Sequence, residues 1–213
     1  MGFTYAWGIG VEQWDFGGLV RHGMCVYDIG ANCGQSTLSL ARAVGTSGRV
    51  VAFEPVDSVF ANLVANLQLN PSLQVTPVCA AAYERKGRFE FLFRRDEVTQ
   101  GRVADVEPTY AVVNAETILV RAVRLDDYNT EGWPVPQLLK IDVEGGAGAV
   151  LRGAQNLIAE HRPAIYIELH GPEEQRAVRQ LLTSCRYKAE TMSGQEVEDP
   201  TTGWASPLVC MPA

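Results

Sequence analysis

The sequence has little positive charge and no run of basic residues. Its 213 residues include 18 Lys and Arg against 25 Asp and Glu, which gives a formal net charge of -7. Proteins that bind nucleic acid usually present a basic surface, so this composition argues against a nucleic-acid partner, although a local basic groove would be compatible with it. No apolar stretch approaches the roughly 20 residues of a membrane-spanning helix, and the N-terminus lacks the basic segment and apolar core of a signal peptide.

Cysteine pairs with the spacing of a metal or redox site are also lacking. The five cysteines are scattered, and no pair has the C-x-x-C spacing of a zinc or redox site. Cys25, Cys79 and Cys210 fall in apolar runs, where a free thiol packs as a small core residue. These absences together predict a soluble, cytoplasmic protein with no membrane partner.

Short apolar runs alternate with amphipathic segments along most of the chain. Strand-like runs lie at 24–29, 49–53, 73–80, 87–94, 117–125, 137–143, 164–169, 186–191 and 208–211. Segments with helical spacing lie at 35–44, 56–69, 147–160 and 173–184. This alternation predicts one α/β domain over residues 1–213, doubly wound, with a mostly parallel sheet that helices cover on both faces.

Two segments depart from the alternation. The lead-in over residues 1–23 is aromatic and contains a short helix at 11–20; its rings either cover one edge of the core or form a flap over a substrate or a homodimer contact. Residues 94–117 are polar and without clear periodicity, and they separate two strand-like runs. We interpret this excursion as a hairpin-like pair flanking a loop that could serve as a lid.

A glycine-containing loop follows the first buried strand and opens the first helix. Its sequence is Asp28-Ile29-Gly30-Ala31-Asn32-Cys33-Gly34, and Glu54 ends the next strand. Glycines allow a sharp turn and a close approach of a ligand, and ligands of open α/β sheets bind at the carboxyl ends of the strands. An acidic side chain at the position of Glu54 can accept both hydroxyl protons of a ribose. The plain alternative is a tight turn without a ligand.

The spacing of the glycines separates two cofactors that this arrangement could hold. A nicotinamide dinucleotide calls for G-x-G-x-x-G, but here Asn32 stands between Gly30 and Gly34. Asp28 at the strand end would repel a pyrophosphate, whereas it suits the ammonium of a methionine tail. The loop therefore favours S-adenosylmethionine (SAM) as the cofactor.

Three stretches together resemble the FkbM family of SAM-dependent methyltransferases. They are the region from Val26 to Asn70, with DIGANCG and later FEP, the KIDVEG region within 138–145, and RGAQNLIAEHRPAIYIELH from Arg152 to His170. DIGANCG with FEP is common to many class I methyltransferases, and the combination with KIDVEG and E-x-H is more specific. The resemblance implies a seven-stranded Rossmann-like sheet whose last strand is antiparallel. It also implies methyl transfer to an oxygen of a sugar or a polyketide-like small molecule.

The resemblance further implies roles for individual residues. Asp28, Gly30, Asn32 and Gly34 would line the methionine part of SAM. Glu54 would hold the ribose, and the backbone near Ala81 and Ala82 would face the adenine. Asp142 and Glu144 would lie beside the transferred methyl group. This chain departs from the family pattern at 145–149, where it has Gly-Gly-Ala-Gly-Ala in place of further acidic residues.

The chemistry requires a group that removes the proton of an acceptor hydroxyl. Asp142, Glu144 and His170 are the candidates because each comes at or just past the carboxyl end of a predicted strand. The plain alternative for His170 is a cap on the loop before Pro172. The same three residues could surround a divalent cation, but no ligand spacing supports a metal, and we assign no metal ligand from the sequence.

Three other functions remain compatible with the sequence. An NAD-dependent oxidoreductase is disfavoured by the glycine spacing. A methyltransferase that acts on the amino groups of nucleic-acid bases would carry an Asn/Asp-Pro-Pro-aromatic loop where this chain has Asp-Val-Glu-Gly. A non-catalytic SAM-binding module is kept open by the sparse 145–149 stretch. We expect a small-molecule acceptor as the partner.

Overall fold

The structure is a computed structural model that describes residues 16, 18–93, 101–104, 116–203 and 205–213. In chain order its strands are β1 (Cys25–Ile29), β2 (Arg49–Phe53), β3 (Val75–Val78), β4 (Ala81–Ala82), β5 (Gly87–Phe93), β6 (Gly101–Val103), β7 (Glu116–Val123), β8 (Leu138–Ile141), β9 (Ala164–Ile167), β10 (Tyr187–Thr191), β11 (Glu196–Val197) and β12 (Leu208–Pro212). Its helices are α1 (Gln35–Val44), α2 (Asp57–Gln68), α3 (Tyr128–Glu131), α4 (Ala147–Arg152), α5 (Gln155–His161) and α6 (Pro172–Ser184), with a 3₁₀ turn at Leu125–Asp127.

The larger sheet has the order β11-β10-β12-β9-β8-β1-β2-β3. Strands β3, β2, β1, β8 and β9 are paired in parallel, while β12 is antiparallel to both β9 and β10. The doubly wound, mostly parallel fold with an antiparallel last strand is therefore confirmed. The expected count of seven strands is wrong, because the two-residue β11 pairs with β10 and adds an eighth at the edge.

The central strands are buried along nearly their whole length. Every residue of β1 and β8 is buried, as are the last four of β2. Helices on both faces keep water from these strands, and for this reason they are mainly apolar rather than alternating, with Asp28 and Lys140 as buried charged exceptions. Trp133 extends the core: it packs edge-on against Phe53, with ring centroids 5.0 Å apart.

A second sheet, with the order β4-β7-β5-β6, lies in the middle of the chain. Its main pair is antiparallel, with Gly87 opposite Ala122 and Phe93 opposite Glu116, which confirms the predicted hairpin-like pair. The expectation that the intervening excursion is irregular is wrong at Gly101–Val103, since β6 pairs there with β5. Three residues are too few to produce a recognisable periodicity. The rest of the excursion, 94–100 and 105–115, lies outside the described residues, so the lid stays a prediction.

The single helix expected at 147–160 is two helices, α4 and α5. The chain breaks at Gly153, where a Cβ atom would lie 2.1 Å from the carbonyl oxygen of Tyr83. The Gly153 carbonyl accepts a hydrogen bond from the Asp126 N–H. Tertiary contacts of the backbone, which helical spacing does not reveal, therefore end α4.

Most of the aromatic lead-in lies outside the described residues. Phe16 is buried against the ring of Tyr166, as expected of a side chain that covers the core, and residues 18–20 are not helical, so the expected helix at 11–20 does not reach them. Among the residues that the structure describes, no helix is both long and apolar enough to cross a membrane.

Candidate functional site

The register of the parallel strands brings the predicted site residues to one edge of the sheet. Ile29 lies opposite both Phe53 of β2 and Ile141 of β8, and Ile141 lies opposite Ile167 of β9. The segments that follow these four residues therefore emerge side by side. They carry the glycine loop, Glu54, Asp142 and, from β9, Glu168 and His170.

The backbone of the loop after β1 is held by protein acceptors at every position from 30 to 34. The N–H groups of Gly30 and Ala31 donate to Phe53 O, and that of Gly34 donates to Ala31 O. The N–H of Asn32 donates to Glu54 Oε2 at 3.1 Å, and that of Cys33 donates to Asn32 Oδ1 at 2.6 Å. These five donors form no open cradle for a phosphate.

Glycine is required in this loop for packing as well as for conformation. Gly30 has a φ of 83°, and a Cβ atom there would lie 2.0 Å from the carbonyl oxygen of Asp142. Gly34 has a φ of 97°, and its Cβ would lie 2.7 Å from Leu63 Cδ1. Both conformations are left-handed, where a side chain is strained. Gly30 thus allows the loops that follow β1 and β8 to lie in direct contact, and Gly34 allows α2 to pack against the loop.

Asp28 is completely buried and forms an ion pair inside the protein. Its Oδ2 accepts hydrogen bonds from the hydroxyls of Ser36 and Thr37, and its Oδ1 lies 3.0 Å from Lys140 Nζ. The ammonium that Asp28 faces is therefore that of Lys140. Burial alone would lower the pKa of Lys140, but the carboxylates of Asp28 and Asp142 outweigh it and raise that pKa, so the ammonium stays charged.

Lys140 links the glycine loop to Asp142, and sequence reasoning did not assign it to the site. It donates to Gly30 O at 3.2 Å and lies 3.5 Å from Asp142 Oδ2. A Lys among apolar strand residues is the signal that could have identified it, because a buried lysine needs carboxylate partners.

Glu54 presents its carboxylate at the end of β2, next to the glycine loop. Its Oε1 accepts from Val56 N at 2.9 Å and its Oε2 accepts from Asn32 N. Burial raises the pKa of Glu54 to about 7, against the opposing effect of these two hydrogen bonds and of the Lys140 charge. Each carboxylate oxygen keeps a second lone pair that could accept a hydroxyl proton.

Asp142, Glu144 and His170, the three candidate bases, lie together. His170 Nε2 is 3.3 Å from Asp142 Oδ1, and His170 Nδ1 is 3.4 Å from Glu144 Oε2. The hydrogen bond with Asp142 raises the pKa of His170 to about 9, with further contributions from the charges of Glu144 and Glu174. Burial would raise the pKa of Asp142, but the His170 hydrogen bond and the Lys140 charge lower it.

Two further carboxylates adjoin this group and were not assigned by sequence reasoning. Glu168 lies beside Asp142 and His170, and Tyr166 OH donates to its Oε1 at 3.2 Å. Burial, aided by the Asp142 charge, raises the pKa of Glu168. Glu174 on α6 is fully buried and accepts from the N–H groups of Ala147 and His170, at 3.2 and 2.5 Å. The alternation of strand residues points to Glu168, whereas only the tertiary fold brings Glu174 here.

The small residues at 145–149 are explained by packing. Ala147 and Ala149 are buried, and a Cβ atom on Gly148 would lie 3.3 Å from Ala177 Cβ of α6. Helix α4 therefore packs closely against α6, and Glu174 from α6 supplies an acceptor at the N-terminus of α4. Glu174 is therefore the acidic neighbour of this stretch.

The structure places Ala81 and Ala82 at the start of the second sheet. Both are buried and pair in parallel with Ala122 and Val123 of β7. The residue that directly follows β3 is Cys79, whose thiol lies 3.2 Å from Asp57 Oδ1. The adenine contact of this backbone stays a prediction.

Both comparisons with known sequences match methyltransferases. The model of the Methyltransferase FkbM domain matches residues 28–189. The hexuronic acid methyltransferase AglP of Haloferax volcanii is 25% identical over 179 residues, which are 84% of this chain and 69% of that protein.

The solved structures show the same fold. The methyltransferase FkbM of Methylobacillus flagellatus is 20% identical and aligns with a TM-score of 0.61 over 91% of this chain, which spans only 45% of the length of that protein. Aeropyrum pernix fibrillarin, solved with natively bound SAM, is 10% identical and aligns with a TM-score of 0.52. The alignment covers 90% of this chain and 67% of the fibrillarin chain. With a family match over most of its length and a methyltransferase fold, the chain belongs to the FkbM methyltransferase family.

Proposed function

We propose that this protein is a SAM-dependent O-methyltransferase that acts on a hydroxyl of a sugar or a polyketide-like small molecule. The observation that carries the proposal is the shared register of β1, β2 and β8. This register puts the Gly30–Gly34 loop, the Glu54 carboxylate and Asp142 at one edge of the sheet. Glu54 accepts a hydrogen bond from the backbone of the loop.

The chemistry of the loop supports SAM over a dinucleotide. A pyrophosphate needs free N–H donors, but the N–H groups of residues 30 to 34 already have protein acceptors. The surrounding carboxylates of Glu54, Asp142 and Glu144 instead suit a ligand with a cationic sulfonium and an ammonium. The SAM bound in fibrillarin, which has the same fold, agrees with this choice.

Methyl transfer in this site is an in-line displacement. The acceptor oxygen attacks the methyl carbon while the bond from that carbon to sulfur breaks, and S-adenosylhomocysteine leaves with the electron pair. The acceptor proton passes to a carboxylate of the hydrogen-bonded group Asp142, Glu144 and His170, because His170, with a pKa of about 9, already holds a proton near neutral pH. Holding the two reactants in line supplies a large part of the acceleration in such reactions.

The acceptor class is supported by the relative of known activity. That archaeal protein is described as a hexuronic acid methyltransferase, and the match covers most of both chains. A sugar offers several hydroxyls for methylation, and the polar rim of carboxylates and His170 is suited to hydrogen-bonding them.

Turnover with labelled SAM across hexuronic acids, neutral sugars, polyketides and small phenols tests the proposal. We expect transfer to a hydroxyl in at least one class, and a large loss of kcat in the variants Asp142→Ala and His170→Ala with SAM binding retained. Undiminished activity in both variants would refute the assignment of the base. Reduction of NAD with no methylated product would refute the function.

A further inference from the structure

Three side chains from neighbouring strand ends converge on one point of the site. Asp142, Glu168 and His170 each offer a ligand atom, and these atoms lie within 4.8 Å of one another. The Asp142 Oδ1 to His170 Nε2 distance is 3.3 Å. Two metal–ligand bonds of about 2.0–2.6 Å span such separations.

Each of the three side chains is oriented by a partner outside the group. Lys140 Nζ lies 3.5 Å from Asp142 Oδ2, and Tyr166 OH donates to Glu168 Oε1. The second ring nitrogen of His170, Nδ1, lies 3.4 Å from Glu144 Oε2. A metal-bound histidine usually donates its other N–H to a carboxylate, and metal-bound carboxylates are in turn hydrogen-bonded. The histidine ligand and its orienting carboxylate distinguish this group from a cluster of acids.

The three side chains lie among further carboxyl groups. Asp142, Glu144, Glu168 and Glu174 bring four carboxyl groups within one neighbourhood, as the contacts with His170 show. Lys140 is shared with the buried Asp28 at 3.0 Å, so its charge is already balanced in part. A bound divalent cation would replace the proton on His170 Nε2 and reduce the repulsion among these carboxylates.

We propose that Asp142, Glu168 and His170 bind one divalent cation, and that the acceptor hydroxyl completes its coordination. Two carboxylates and one imidazole are ligands that suit Mn²⁺, and Mg²⁺ accepts the carboxylates. A bound cation lowers the pKa of a coordinated hydroxyl and fixes its oxygen for attack. The acceptor proton then passes to Glu144, and the oxygen attacks the methyl carbon as the carbon–sulfur bond breaks.

This inference rests on the proposed function and refines it. Asp142 and His170 become ligands that position the acceptor, and Glu144 becomes the proton acceptor. The preferred substrates are accordingly sugars with two neighbouring oxygens, such as a vicinal diol or a hydroxyl beside a carboxylate, because both oxygens can bind the cation.

Binding of Mn²⁺ to the full chain, freed of metal with a chelator, tests the inference without reference to turnover. The electron paramagnetic resonance signal of free Mn²⁺ reports the bound fraction, and Mg²⁺ is added as a competitor. We expect one ion per chain, displaced by Mg²⁺. The variants Asp142→Asn, Glu168→Gln and His170→Ala should each weaken Mn²⁺ binding by about tenfold or more.

The matched control is Glu173→Gln. It removes a carboxylate of α6 that lies close to His170 in sequence but pairs with Arg176, outside the group. Thermal unfolding of each variant verifies that it is folded. No saturable Mn²⁺ binding, or binding that any one of the three ligand substitutions leaves unchanged, would overturn the inference. SAM binding measured on the same samples separates the two claims, because a protein that binds SAM but no Mn²⁺ loses the metal site and keeps the proposed function.

Discussion

Gly30 combines a strained conformation with a contact that no other residue type allows. Its φ is 83°, and a Cβ atom would lie 2.0 Å from Asp142 O. We expect Gly30→Ala to lower the free energy of unfolding by about 3 kcal/mol, because the left-handed conformation and the displaced carbonyl both contribute. Denaturant titration measures the change.

Gly132 provides the matched control for Gly30. Its φ is 74°, but nothing lies within 4 Å of a Cβ atom at that position. The variant Gly132→Ala should therefore show only the conformational cost of about 1 kcal/mol. Equal losses in the two variants would mean that the contact between the Gly30 loop and Asp142 is not tight.

Glu54 gives cofactor binding a pH dependence near neutrality. Burial raises the pKa of Glu54 to about 7, so the carboxylate gains a proton as the pH falls through that value. A ribose hydroxyl needs the ionised form as its acceptor, and affinity should consequently fall by up to about tenfold per pH unit below pH 7. Calorimetry with 5′-methylthioadenosine isolates the effect, because this ligand has the ribose but no amino-acid group.

The variant Glu54→Gln should bind 5′-methylthioadenosine weakly at every pH and without this slope. Affinity of the unmodified protein that stays constant from pH 8 to pH 6 would contradict the assignment of Glu54 to the ribose.

Lys140 balances two carboxylates in the interior. Removing one partner of a buried ion pair leaves a charge uncompensated, which costs about 3–5 kcal/mol. We expect Lys140→Met to destabilise the protein by this amount and Lys140→Met with Asp28→Asn to recover part of it, because the two residues are 3.0 Å apart. Strictly additive effects in denaturant titrations would show that the pair is not coupled.

At the scale of elements, α4 and α6 hold the site together through Glu174. Its two oxygens accept from the N–H groups of Ala147 and His170. Glu174→Ala leaves the buried Ala147 N–H and the half-buried His170 N–H without this acceptor. We expect a loss of about 2–4 kcal/mol in unfolding free energy and faster amide exchange at Ala147 and His170.

Its neighbour Glu173, which is only half-buried on α6 and pairs with Arg176, serves as the control. Glu173→Ala should change stability by less than about 0.5 kcal/mol. If the exchange rates of Ala147 and His170 were unchanged in Glu174→Ala, the link between the two segments would not be structural.

Local pattern predicted the longer helices and strands, but neither their interruptions nor the shortest elements. Helix α1 matches its expected range of 35–44 because its apolar spacing is regular. The break at Gly153 depends on the carbonyl of Tyr83, which lies 70 positions earlier in the chain, and no local pattern carries that information. Strand β6 has no recognisable sequence pattern either, because it is defined only by the backbone pairing of three residues with β5.

At the scale of the molecule, parallel strands make the candidate site predictable in outline. Residues that follow parallel strands meet at one edge, and Asp142 and His170 could be placed together from their positions alone. Lys140 and Glu174 could not, because their roles depend on which side chains face them across the sheet and between helices. The homodimer contact, one alternative for the aromatic lead-in, stays a prediction.

Calorimetric titration of the full chain with SAM, and in parallel with NAD, tests the central claim most directly. We predict one SAM per chain with a dissociation constant well below millimolar, a marked loss of affinity in Glu54→Gln, and no binding of NAD. Failure of SAM to bind below millimolar concentration, or tighter binding of NAD than of SAM, would contradict the account.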